Sequence, residues 1–157
     1  MNKRKRFRGN VLPEITLLIR PFMKADREAL SRLYLESRQD TFTWQNSAAF
    51  CLSDFDRDTA EEAIWVAERQ GALVGFVSVD AADNFVHNLF VATHWLGHGI
   101  GSQLLATSLA NIGSPARLKC LVENTRAIVF YQTKGWQKVG DGVSDDGKYV
   151  VFEMDNS

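Results

Sequence analysis

The 157-residue sequence predicts a mixed α/β fold: a mostly antiparallel central sheet of six to seven strands flanked by about four helices. Three observations lead there. Ile64 to Glu68 and Ala72 to Val79 are two β-branched runs joined at Gln70-Gly71, the pattern of a hairpin. Ala81 to Asn84 then turns the chain into a third apolar run, Phe85 to Val91, so three successive strands are antiparallel. Beyond that run, glycines at 97, 99 and 101 precede Ile100, Leu104, Leu105, Leu109 and Ile112 at helical spacing.

The remaining elements follow in order. Ile15 to Arg20 reads as a first strand stopped by Pro21. Asp26 is a candidate cap for a helix from about Arg27 to Arg38, with Leu30, Leu33 and Tyr34 on one face. Residues 40 to 60 interleave Phe42, Trp44, Phe50 and Phe55 with Asp40, Asp54, Asp56 and Asp58. That composition suits a short helix packed on the sheet, the wall of a cleft, or both. The helix after the glycines is predicted to end near Gly113-Ser114-Pro115, and Leu118 to Val122 is the next strand. Asn124-Thr125 opens a short helix from about Arg126 to Lys134, ended by Gly135. Trp136 to Val139 and Tyr149 to Met154 close the sheet around an acidic loop, Gly140 to Gly147. Helices fall on both faces of such a sheet.

Composition narrows the function classes. No apolar run approaches the roughly 20 residues that span a bilayer, and no signal-peptide core precedes the domain. A cytoplasmic protein with no membrane partner is expected. Two cysteines, Cys51 and Cys120, form no zinc or disulfide spacing and read as reduced thiols. The net charge of −1 hides an asymmetry: five basic residues lie in the first eight positions, leaving 13 basic against 19 acidic residues. Residues 1–12 therefore read as a basic, disordered arm and 13–157 as one domain. The acidic body favours a cationic partner over nucleic acid.

The glycine run is the chemical signal. Glycines at the mouth of a helix let a ligand approach backbone amides that lack intrahelical partners, which suits a phosphate or pyrophosphate. No Gly-Lys-Ser/Thr follows, and Ser102 stands where a dinucleotide fingerprint needs its last glycine. His87, His94 and His98 have no carboxylate at ligand spacing, so no metal is expected.

Two motifs then carry a family resemblance. Leu89-Phe90-Val91, followed by Gly97-x-Gly99-x-Gly101, resembles the central motif of the GCN5-related N-acetyltransferase (GNAT) superfamily. Leu121 to Trp136, with Asn124, Ala127, Tyr131 and Gly135-Trp136, resembles its second motif, and the similarity covers roughly residues 14 to 154. The resemblance implies the GNAT acyltransferase fold, acetyl-CoA as co-substrate and direct transfer to a primary amine that is small or cationic. The backbone of Leu89 and Val91 would pair with the pantetheine arm as an added strand, and amides from Gly97 through His98, Gly99, Ile100 and Gly101 to Ser102 would hold the pyrophosphate. A backbone N–H near Leu89 or Phe90 would polarise the thioester carbonyl. Asn124 would bond the cofactor or acceptor beside Ala127, or serve as a plain turn residue. Tyr131 is the candidate general acid; the alternative is half-buried packing. For the base, His87 leads, with Asp80, Asp83 and a water chain beside it. One departure stands out: Leu96 occupies the position where the family usually has Arg or Gln. The competing readings are a catalytically degenerate acyl-CoA-binding module and a nucleic-acid-associated protein. Homodimers are common in the family, although no seam in the sequence requires one.

Overall fold

A computed structural model describes residues 16–157, so the basic arm expected at 1–12 and the Ile15 start of the first strand lie outside the described residues. Seven strands form one sheet: β1 (Leu17–Pro21), β2 (Ala63–Arg69), β3 (Ala72–Asp80), β4 (Phe85–Val91), β5 (Ala116–Leu121), β6 (Gln137–Ser144) and β7 (Gly147–Met154). Their spatial order is β1-β2-β3-β4-β5-β7-β6. Every neighbouring pair is antiparallel except β4 with β5. Four helices cover the sheet: α1 (Arg27–Thr41), α2 (Asp54–Asp58), α3 (Ile100–Ala110) and α4 (Thr125–Thr133).

The expected helices lie on both faces. One core joins Val77, Val79 and Val86 of the sheet to Ile100, Leu104 and Leu105 of α3 and Tyr131 of α4. The other packs Leu30, Leu33 and Tyr34 of α1 and Phe55 of α2 on Val66 and Phe76. Its rings meet edge to face, Tyr34 with Phe76 at 5.8 Å and Phe55 with Phe76 at 5.4 Å, a geometry that favours aromatic pairs. Within segment 40–60, Phe55 packs into this core and the Phe42 ring meets Phe90.

Several boundaries differ from the sequence reading for local physical reasons. Pro21 belongs to β1, opposite Trp65; β1 is an edge strand, where a missing N–H costs no ladder bond. Asp26 does sit at the N-cap position of α1, yet its carboxylate makes no cap bond and instead accepts from the Met23 N–H at 2.8 Å and from Arg20. The helix after the glycines stops at Ala110, short of Gly113. The acidic loop 140–147 is largely strand: β6 and β7 pair from Gln137↔Glu153 to Ser144↔Gly147, leaving a turn at Asp145-Asp146. The hairpin at Gln70-Gly71 is as read, with both residues at positive φ (52° and 78°), the conformation that matches the twist of tightly linked strands.

Candidate active site

The site begins with an extra residue in β4. Pairing with β3 passes from Ser78↔Asn88 to Val79↔Val86, so His87 has no partner and β4 bulges there. A bulge bends its strand. On the other side, β4 and β5 pair only at Phe85↔Arg117 and Val86↔Leu118, immediately before the bulge, while β5 continues with β7 through Leu121↔Tyr149. The two parallel strands therefore part beyond Val86. The Ala92 N–H donates to Val74 of β3 at 2.8 Å; since backbone groups alternate along a strand, those of Phe90 also face β3, and those of Leu89 and Val91 face the opening. Phe90 thus departs from the sequence reading. Its backbone turns away from the open edge, and its ring packs on Tyr34 and Phe76.

At the far end of this edge lies the glycine loop. Gly97 and Gly99 adopt φ of 80° and 76°, which L side chains rarely tolerate, and a Cβ at either would meet nothing within 4 Å. Conformation requires these glycines, and open space lies above them. Gly101 is different: a Cβ there would touch Val91 Cγ2 at 3.7 Å and Phe130 Cζ at 3.8 Å, which puts the start of α3 between the end of β4 and α4. The Gln103 N–H closes the first helical turn on the Gly99 carbonyl. The amides of Ile100, Gly101 and Ser102 consequently have no partner within the helix, and the positive end of its dipole lies with them. His98 folds back, Nδ1 lying 3.2 Å from the Trp95 carbonyl and 3.1 Å from that of Leu96. Leu96 itself is exposed.

Tyr131 stands on the β5 side. Its ring is buried against Phe130, Trp136 and Phe152 at centroid distances of 5.2, 5.8 and 6.0 Å. Burial, with a smaller push from Cys120 on β5, raises the phenol above its usual range, so it stays protonated at neutral pH. Burial also pushes the Cys120 thiol up to about 11, which leaves little nucleophilic thiolate. Asn124 caps α4, its Oδ1 accepting from the Ala127 N–H at 3.3 Å, and Ala127 packs into the core.

On the opposite face of the bulge, His87 Nδ1 lies 2.7 Å from Glu62 Oε2. Glu62 was not apparent from sequence. The next residue, Asn88, donates to Ser78 Oγ at 2.8 Å and to the Asp58 carbonyl at 3.3 Å. Asp80, another candidate base, is engaged with the amides of Ala82 and Asp83. Arginines hold three of the four aspartates of the 40–60 segment: Asp54 pairs with Arg38 and Arg57, Asp56 with Arg27, and Asp58 with Arg57. Asp40 accepts from Thr93. A groove of about 570 Å³ between α1 and the β4–α3 connection is lined by none of Tyr131, His87 or the glycine loop. Among the described residues, no group of three or more His, Cys, Asp and Glu is placed to hold a metal.

Residues 60–138 match the family model for the acetyltransferase (GNAT) domain. The chain belongs to the GNAT family. It is similar to the peptidyl-lysine N-acetyltransferase YiaC of Escherichia coli, at 28% identity over 87% of this chain and 94% of that protein. Among solved structures, apo YjaB of Escherichia coli superposes with a TM-score of 0.75 at 21% identity, over 88% of this chain and 97% of that one. Salmonella typhimurium yncA, solved with its cofactor acetyl-CoA, gives 0.64 at 16% identity, over 90% and 94% of the two chains. This GNAT protein is an acetyl-CoA-dependent N-acetyltransferase, with acetyl-CoA as its co-substrate. The residues present fit that molecule, since β4 is unpaired with β5 beyond Val86 and a Cβ at Gly97 or Gly99 would meet nothing within 4 Å.

Proposed function

We propose that the enzyme transfers acetyl from acetyl-CoA directly to a primary amine, a lysine side chain of a peptide or a small cationic amine. The observation that carries this reading is the continuous open edge of β4, closed at one end by the His87 bulge and ending at the other in the glycine loop. From His87 to Val91 that edge spans about 13 Å at about 3.3 Å per residue, a length suited to the pantetheine arm lying as an added strand. The free amides at the start of α3 then serve the pyrophosphate, and backbone donors rather than the missing Arg or Gln at Leu96 supply the cradle.

With the arm so placed, the thioester lies toward the bulge. The amine nitrogen attacks the carbonyl carbon, and the backbone N–H of Leu89, which faces the opening, stabilises negative charge on the carbonyl oxygen. As the C–S bond breaks, the thiolate takes the Tyr131 proton. Burial raises the phenol, and the same desolvation makes the leaving thiolate a stronger base than in water, which lets the proton pass. His87 takes the proton lost by the amine. The raised pKa of Cys120 favours direct transfer over a thiol relay. For the acceptor, similarity to a peptidyl-lysine N-acetyltransferase supports an exposed lysine.

Calorimetry with acetyl-CoA on the parent and on Gly99→Glu tests the donor site. The expected result is binding by the parent and its loss in the variant, whose side chain enters the open space above α3. Equal binding by both proteins would place the pyrophosphate elsewhere.

A further inference from the structure

The contact between His87 and Glu62 joins an exposed imidazole to a hidden carboxylate: the side chains are 43% and 6% exposed. Ion pairs between two exposed side chains contribute little. Here the carboxylate is enclosed and the histidine alone reaches solvent. Such an arrangement suits a reactive base held by a fixed partner. The backbone fixes that partner firmly. Glu61, just before it, holds φ of 62°, rare for a residue with a side chain; the Glu62 N–H donates to Thr59, and Ala63 enters the sheet opposite Val79. On the histidine side, β4 bulges at His87, and the next residue, Asn88, donates to Ser78 Oγ and the Asp58 carbonyl. A small cavity of about 220 Å³, lined in part by Phe22, Thr59 and Glu61, opens onto Glu62.

We propose that Glu62 is the positioning residue for His87: its carboxylate accepts the Nδ1–H, fixes that tautomer and leaves Nε2, across the ring, bare for the acceptor amine's proton. This rests on the reading of His87 as the base. During transfer the amine's N–H proton passes to Nε2 as the new C–N bond forms, and the resulting imidazolium is stabilised by the Glu62 carboxylate until the exposed ring releases the proton to water. The carboxylates facing this pair are Asp58 and Asp80. Burial raises the Glu62 carboxyl above its ordinary range, and His87 pulls it back.

The test is ¹⁵N NMR of the three histidine side chains in the full chain, with His87 assigned by His87→Gln, alongside thiol release from acetyl-CoA with a lysine-containing peptide as probe. The parent should show His87 as the Nδ1–H tautomer. Glu62→Ala should lose that preference. Glu62→Gln, whose side-chain carbonyl still accepts from Nδ1–H, should keep it but lower kcat roughly tenfold or more for want of charge, with KM for acetyl-CoA unchanged. An unchanged tautomer in Glu62→Ala, or an unchanged kcat in Glu62→Gln, overturns the proposal. If Glu62→Ala fails to fold, Glu62→Gln decides by its rate and tautomer. Should His87→Gln turn over as fast as the parent, the base reading fails, while the histidine spectra still judge the hold of Glu62 on His87.

Discussion

A buried phenol with no hydrogen bond from its hydroxyl among the described residues keeps its proton at neutral pH, because burial disfavours the phenolate. Tyr131 is enclosed by Phe130, Trp136 and Phe152, so replacing it with Phe keeps the ring contacts and removes only the acid. Tyr131→Phe is therefore expected to lower kcat about a hundredfold, within the range of general acid catalysis, and to leave the KM for acetyl-CoA near that of the parent. Steady-state kinetics would check this. A parent-like kcat would return Tyr131 to the packing role that its burial also allows. The segment that carries Tyr131 was legible in sequence because it forms a motif with Asn124 and Gly135-Trp136. Glu62 was not, because it lies 25 residues from His87 and is brought there only by the register of β2 on β3 and β3 on β4.

Among elements, the β3–β4 pair decides whether the opening exists. Gly75 lies opposite Val91, and a Cβ at Gly75 would come within 2.8 Å of the Phe90 carbonyl and 3.1 Å of Leu104 Cδ1. The first contact is with backbone and cannot be relieved by a rotamer change. Gly75→Ala should thus force β4 away from β3 and strain α3, costing about 1–3 kcal/mol; urea unfolding would measure it, and parent stability would contradict it. Elements of this kind were legible where local chemistry decides them: the Gln70-Gly71 hairpin, the Asn124 cap, the glycine-capped α3. Elements decided by pairing were less so. Gly140 to Gly147 carries the glycines and aspartates of a loop, and β7 draws it into strand by offering a full edge. The bulge did leave a trace, in that His87 and Asn88 are consecutive polar residues in an otherwise apolar run, which breaks the period of two.

For the molecule as a whole, two arginines fasten the α1–α2 layer through their carboxylate partners. Arg20 of β1 binds Asp26 ahead of α1 and Glu68 of β2. Arg38 of α1 binds Asp54 of α2, with side chains only 6% and 8% exposed, and its guanidinium lies over the Tyr34 and Phe50 rings. The hydrogen bond from Arg20 holds the Asp26 carboxyl below its ordinary value of 3.8. Burial opposes ionisation of Asp54, but the Cys51 N–H and the Arg38 guanidinium outweigh it and hold that carboxyl below 3.8 as well. Both groups bind protons more weakly folded than unfolded, so their stabilisation is complete above the unfolded value and disappears as pH falls through it toward the folded values. The urea midpoint should accordingly be level near neutral pH and drop below about pH 4. Asp54→Asn leaves the Arg38 charge buried without its counter-ion and should cost about 3 kcal/mol at neutral pH. Because the variant has one fewer depressed carboxyl to protonate, its stability should also fall less steeply with acid. Parallel slopes for the two proteins would assign the acid loss to other carboxylates and leave Arg38–Asp54 a packing contact between the two helices.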